Sequence, residues 1–257
     1  MVAAPRATFE VGALARLRRL GGRGWALVPL GSIVLVVFMI RFVSDSANAL
    51  TYLALVAVPP LAAAALGWGM RGARPLLASL AIVLFALAWV ERGSLVGGAA
   101  AALLSALSCV TLGMLVCALT PPLWLKLGII AMAVADTWLV VSDLLQAPNA
   151  ALIAAHPAGG LPRLQTEIFG SGTMGYGDLF VAGLLGALLA SDRRLQRRGA
   201  LLTLLISALF DLLFFVVHEL PATVPVALAL IVTELWSFSA ARRTRSRRAG
   251  ATPRPAR

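Results

Sequence analysis

Residues 172–190 read GTMGYGDLFVAGLLGALLA and place one carboxylate, Asp178, just inside an otherwise apolar run. An ionisable side chain at membrane depth is costly and is kept where it faces a bundle interior or a water-filled cavity. Whether this run crosses a bilayer therefore decides both the fold and the place to look for chemistry.

The surrounding chain has the same character. Of its 257 residues, 60% are hydrophobic and 13% charged, and the mean hydropathy is +0.90, far from the balance of a soluble domain. Apolar runs long enough for a hydrocarbon core of about 30 Å recur along nearly the whole length. We read eight spans, at 25–42, 47–70, 75–90, 95–119, 123–145, 168–190, 199–217 and 221–241. The expected fold is an all-α, polytopic transmembrane helix bundle. Its divisions are a basic N-terminal arm (1–24), a four-span scaffold (25–122), a four-span half carrying Asp178 (123–241) and a basic tail (242–257). Pro59 and Pro60 predict a kink or break in the second span. The polar, proline-broken segment 146–167 is too irregular to cross and is read as an outer loop or flap.

The net charge of +11 has a topological cause. With the N-terminus inside, 19 of the 22 basic residues fall on cytoplasmic segments and only Arg41, Arg92 and Arg163 on outer loops. That bias follows the positive-inside rule and puts both termini in the cytoplasm. It points to the lipid bilayer as partner and away from nucleic acid. The first span, with basic residues before it and SANA ending at Ala49, also imitates a signal peptide, but its apolar length favours a retained anchor. An arginine- and alanine-rich chain with this single targeting feature suggests a bacterial inner membrane.

Cys109 and Cys117 lie eight residues apart on one span, about 12 Å along a helix, too far for a disulfide. No metal-ligand spacing, phosphate-binding loop or soluble catalytic triad occurs, and no cofactor or metal is expected.

The chemistry-bearing residues are then the acids at depth: Asp136 and Asp143 on the fifth span, Asp178 on the sixth, Asp211 on the seventh and Glu234 on the eighth. Asp136 lies about 13 Å below the outer end of its span and Asp178 about 15 Å, on consecutive antiparallel helices. Asp143 lies nearly at the surface. Two carboxylates at equal depth can share one proton, because like charges in low dielectric resist joint ionisation. Such a pair suits hydrolysis: one member draws a proton from water while the other polarises a carbonyl.

Gly175 and Gly177 flank Tyr176 and leave room for the close approach of another backbone, which an unwound substrate helix requires. Close helix packing is the plainer use of such glycines, and Gly183 and Gly186 continue a small-residue face. Asp211 reads as a tuning or hydrogen-bonding group, Glu234 as the partner of a nearby arginine, and His218 and Glu219 as solvated residues of the outer turn.

Gly175-Tyr176-Gly177-Asp178 followed by an apolar run resembles the motif of the GxGD intramembrane aspartyl proteases, the presenilins, signal peptide peptidases and their microbial relatives. VADTWLVV around Asp136 is similar to the family's first-aspartate helix, and VVSDLL around Asp143 also resembles it. LPATVP resembles the Pro-Ala-Leu segment that opens the last helix. The resemblance implies a presenilin-like arrangement of the last four spans and an aspartic endopeptidase acting on membrane-spanning peptides. Its catalytic residues would be Asp178 with Asp136, or Asp143 in its place, and substrate would bind along Gly175, Tyr176, Gly177, Pro221, Ala222 and Thr223. The chain departs from the pattern at Ala135, where the family has Tyr, at Thr223, where it has Leu, and in having eight spans where the family has nine.

Prepilin peptidases share the GxGD motif, but the triplet that follows their first aspartate is absent after both Asp136 and Asp143. The expected orientation puts the acid pair in the outer half, similar to signal peptide peptidases, and favours leftover signal peptides or anchors with a cytoplasmic N-terminus. The other function classes are a proton-coupled transporter using Asp136, Asp178 and Asp211, and an inactive protease-like scaffold.

Overall fold

A computed structural model describes residues 4–42, 45–144, 146–169, 172–215 and 220–249. His218 and Glu219 lie outside the described residues.

Apolar backbone that cannot reach water must close its hydrogen bonds internally, and the chain does so almost wholly in helices. In order they are α1 (Gly12–Leu17), α2 (Leu27–Phe42), α3 (Ser46–Ala64), α4 (Leu80–Val90), α5 (Leu95–Leu119), α6 (Pro122–Val141), α7 (Gln146–Ala154), α8 (Tyr176–Leu188), α9 (Arg193–Asp211) and α10 (Val224–Ala249). Between α7 and α8 stands one antiparallel hairpin, β1 (Thr166–Phe169) and β2 (Gly172–Gly175). The fold is all-α apart from this hairpin.

With their flanking turns, four helices among the described residues are long and apolar enough to cross a membrane: Arg23–Phe42, Ser46–Gly69, Leu95–Leu119 and Pro122–Val141. Pro75–Val90, Tyr176–Ser191 and Val224–Ser239 are apolar but shorter.

Local sequence sets the breaks. The Ser94 hydroxyl caps α5 by accepting from the Gly97 amide at 3.1 Å, and Asp192 caps α9 by accepting from Arg194 and Leu195. Pro122 opens α6 at a position whose amide needs no partner. The expected break at Pro59 and Pro60 does not end α3, which runs through both prolines and passes into a π-helical turn at Ala65–Gly69. Several helices also differ from their expected spans: α4 begins at Leu80 and not at 75, α6 ends at Val141 and not at 145, α9 begins at Arg193, before 199, α10 continues through the basic stretch to Ala249, and α8 begins at Tyr176 because the preceding residues form the hairpin.

Two apolar cores result. Val58, Ala62, Ala81, Ala100 and Leu104 join α3, α4 and α5. Ile129, Met132, Val181, Leu184, Val226 and Leu230 join α6, α8 and α10, with α2 and α9 packed alongside. Helices α5 and α8 connect them at backbone contact. A Cβ on Gly113 would sit 2.8 Å from the Gly183 carbonyl oxygen, and one on Gly183 2.8 Å from that of Cys109. Only glycine permits this approach, so Gly183 serves helix packing.

The far end of α8 is closed by the N-terminal arm. Pro5 bridges to Met70, the Arg6 amide donates to Gly69, and the Arg71 amide donates to Ala4. The buried Gln196 amide group donates to the Pro5 carbonyl at 3.0 Å and to the Gly186 carbonyl at 2.8 Å.

Candidate active site

Residue Asp136 stands on α6 five residues before its end, and Asp178 on α8 two residues after its start, about 8 Å and 3 Å from those ends at helical rise. Both helices are shorter than the expected spans, α6 ending at Val141 and α8 beginning at Tyr176, so each acid lies nearer its helix end than expected. Both are half-buried. Their helices pack in one core, where Met132 lies one turn before Asp136 on α6 and Val181 one turn after Asp178 on α8.

Each carboxylate is held by its own donors. Asp178 Oδ2 accepts from the Gly175 amide at 3.1 Å, reaching back from the third helical position to the residue that caps α8. Asp136 Oδ2 accepts from Thr223 twice, from the hydroxyl at 2.6 Å and from the amide at 3.2 Å. Thr223 is 4% exposed, and Pro221 and Ala222 lie half-buried beside it in the turn before α10. Thus the segment that opens the last helix lies against the first aspartate, and its Thr in place of Leu supplies a hydroxyl.

Asp143 does not join them. It lies beyond the end of α6, exposed, in a left-handed backbone conformation (φ 55°) that Asp tolerates, with the Gln146 side-chain amide 3.4 Å from its Oδ1. Asp211 is exposed at the end of α9. Glu234 pairs with Lys126 at 2.7 Å between α10 and α6, so its partner is a lysine and not an arginine.

The three motif residues before Asp178 have separate fates. Gly175 closes β2 opposite Thr166, and its amide is occupied by Asp178. Tyr176 turns toward α5, where its hydroxyl lies 2.6 Å from Ser108 Oγ, and its amide donates to Gln165. Ser108 in turn donates to the Ser105 carbonyl, and Ser105 to the Leu164 carbonyl. The tyrosine side chain therefore anchors the motif to the scaffold. Gly177 is exposed, and a Cβ there would meet nothing within 4 Å. It leaves an open backbone beside Asp178.

Sequence reasoning missed Ser105 and Ser108, because serine on an apolar helix has no signature. It also missed the hairpin, although Thr166, Ile168 and Thr173 around Gly170-Ser171-Gly172 carry strand and turn residues. Among the described residues no cluster of His, Cys, Asp and Glu is placed to hold a metal ion.

The chain matches no protein-family model, no curated protein and no solved structure.

Proposed function

We propose that the chain is an intramembrane aspartyl endopeptidase that cleaves membrane-spanning peptides with Asp136 and Asp178. The observation that carries this reading is geometric: α6 and α8 pack in one core through Met132, Val181 and Leu184, and each holds a half-buried aspartate within about one turn of that core, while Asp143 and Asp211 are exposed.

The pair works with one proton between its members. The ionised carboxylate takes a proton from water as the water oxygen bonds to the scissile carbonyl carbon, and the protonated partner gives its proton to the carbonyl oxygen. The tetrahedral diol then collapses. The C–N bond breaks, the leaving nitrogen takes the proton drawn from water, and the diol proton returns to the other carboxylate. No metal is needed for this balance. A substrate helix must unwind to offer its carbonyl, and the bare backbone at Gly177 is where an extended chain can lie closest to Asp178.

The finer reading completes the eight spans with the shorter apolar helices and α9, gives the last four a presenilin-like arrangement, and puts the pair in the outer half of a bacterial inner membrane with both termini cytoplasmic. The segments that carry cytoplasmic arginines support one shared end, since the arm, the residues around Arg71 and those around Gln196 are bonded together. Arg92, by contrast, donates to Gly160 among the outer loops. Leftover signal peptides and anchors with a cytoplasmic N-terminus fit this orientation.

The test is cleavage of a fluorescent peptide bearing one apolar helix by the purified full chain in lipid. Asp136→Asn and Asp178→Asn each lower the rate by more than about a thousandfold, and Asp143→Asn leaves it within about twofold of wild type. Loss of activity in Asp143→Asn with full activity in Asp136→Asn would refute the assignment of the pair. A folded wild type that cleaves nothing would refute the protease.

A further inference from the structure

The hairpin ahead of α8 carries a hydroxyl that nothing among the described residues uses. Thr166 is 6% exposed, and its Oγ1 is buried with no hydrogen-bond partner among the described residues. Burying a hydroxyl without a partner is unfavourable, and native structures rarely leave one so. That leaves the group open to a partner beyond the described residues, as it does Thr120 Oγ1; what distinguishes Thr166 is its place in the hairpin.

Strand register tells which way it faces. Thr166 pairs directly with Gly175, and residues directly opposite on antiparallel strands project to the same face. At Gly175 that face is marked by an atom, since a Cβ built there would lie 3.3 Å from Asp178 Oδ2. The Thr166 side chain and the Asp178 carboxylate thus share one face of the hairpin. The adjacent bond, from the Tyr176 amide to the Gln165 carbonyl, makes 166 and 175 a non-hydrogen-bonded pair, in which side chains stand closest. With no side chain on Gly175, nothing from that residue separates the hydroxyl from the carboxylate. The neighbouring orphan, Gln165 Nε2, lies on the residue before β1, whose side-chain oxygen accepts from the Leu164 amide.

We propose that the Thr166 hydroxyl is a substrate-binding group of the active site, donating to a backbone carbonyl of an extended peptide held next to Asp178. The proposal rests on the protease reading and deepens it by naming a recognition group. The ligand chemistry follows from the donor: a peptide carbonyl, present in every sequence, so the contact aids cleavage without selecting side chains. The bond forms only when substrate is present. Removing the hydroxyl consequently harms catalysis and leaves the free protein intact, the reverse of what a structural threonine does.

Thr166→Val keeps the shape and deletes the donor, and Thr166→Ser restores it. With the fluorescent single-helix peptide, Thr166→Val is expected to lower kcat/KM by about ten- to a hundredfold, with Thr166→Ser within about threefold of wild type. The melting temperature of Thr166→Val stays equal to that of wild type or rises, because no native bond is lost. Wild-type kcat/KM in Thr166→Val overturns the proposal, and so does lost activity accompanied by a lower melting temperature. Should the wild type cleave nothing, the protease reading fails by itself, and binding of the same peptide to Asp178→Asn and to Asp178→Asn/Thr166→Val then decides. About tenfold weaker binding by the double variant supports the contact, whereas equal binding, or none to either, overturns it.

Discussion

At its C-terminal end α8 is tied down by side chains from distant parts of the chain: Gln196 bonds the Gly186 carbonyl, and Arg71 donates to the Ala190 carbonyl at 2.6 Å. At its N-terminal end the same helix offers a half-buried carboxylate, an exposed Gly177 and a short hairpin. Between them Gly183 presses backbone to backbone on α5. The contrast is that of a clamped base and an accessible head. The hydrolytic pair proposed above would have to be held in register yet remain reachable by water and an unwound chain, and a helix that differs along its length in this way suits both needs.

Three variants break or sharpen this comparison. The largest effect belongs to the middle of the helix. Gly183→Leu drives a side chain into the Cys109 carbonyl and lowers stability by about 3 kcal/mol, read as thermal unfolding in detergent. Gly177→Ala, six residues away in open space, serves as its control and shifts stability by less than about 1 kcal/mol while reducing cleavage. Equal destabilisation at both positions would erase the distinction between packing and access glycines.

At the clamped end, Gln196→Leu leaves the Pro5 and Gly186 carbonyls without their donor and costs about 2 kcal/mol. Hydrogen exchange is expected to rise in the arm around Arg6 and Arg71, with peptide cleavage per folded molecule unchanged. Loss of cleavage at full folding would mean that the arm controls the site from the opposite end.

The smallest of the three falls on the head. Thr223→Val deletes the shorter of the two donors to Asp136 Oδ2 and leaves the amide. We expect kcat to fall about tenfold, equivalent to about 1.4 kcal/mol, with KM unchanged and Thr223→Ser restoring the rate. A raised KM at constant kcat would instead place Thr223 on the substrate.

Much of this architecture is legible in the chain itself, for a physical reason specific to apolar sequence. Backbone without water must form helices, so the long runs at 95–119 and 123–145 announce themselves, whereas the start of α9 at Arg193 did not, because its first turn is rich in arginine. The run ending at Ala190 was harder, since Ile168, Phe169 and Met174 are as apolar as a membrane helix while they form or flank a hairpin. Periodicity does not separate the two over so short a stretch. The candidate acids were equally legible, because a carboxylate in an apolar run stands out on cost alone. Choosing among them was not.

The sequence by itself determined the helical class, the candidate acids and the glycines that flank Tyr176, because burial cost and backbone freedom are properties of local composition. Only the tertiary structure decided that Asp136 is half-buried on a helix packed with α8 while Asp143 is exposed beyond that helix, that Tyr176 is bonded to Ser108, and that Thr166 pairs with Gly175. Those facts depend on where a helix ends and on which strand residues stand opposite one another. One residue of register or one turn of helix reverses the direction of a side chain, and that choice is made by packing between segments far apart in the chain.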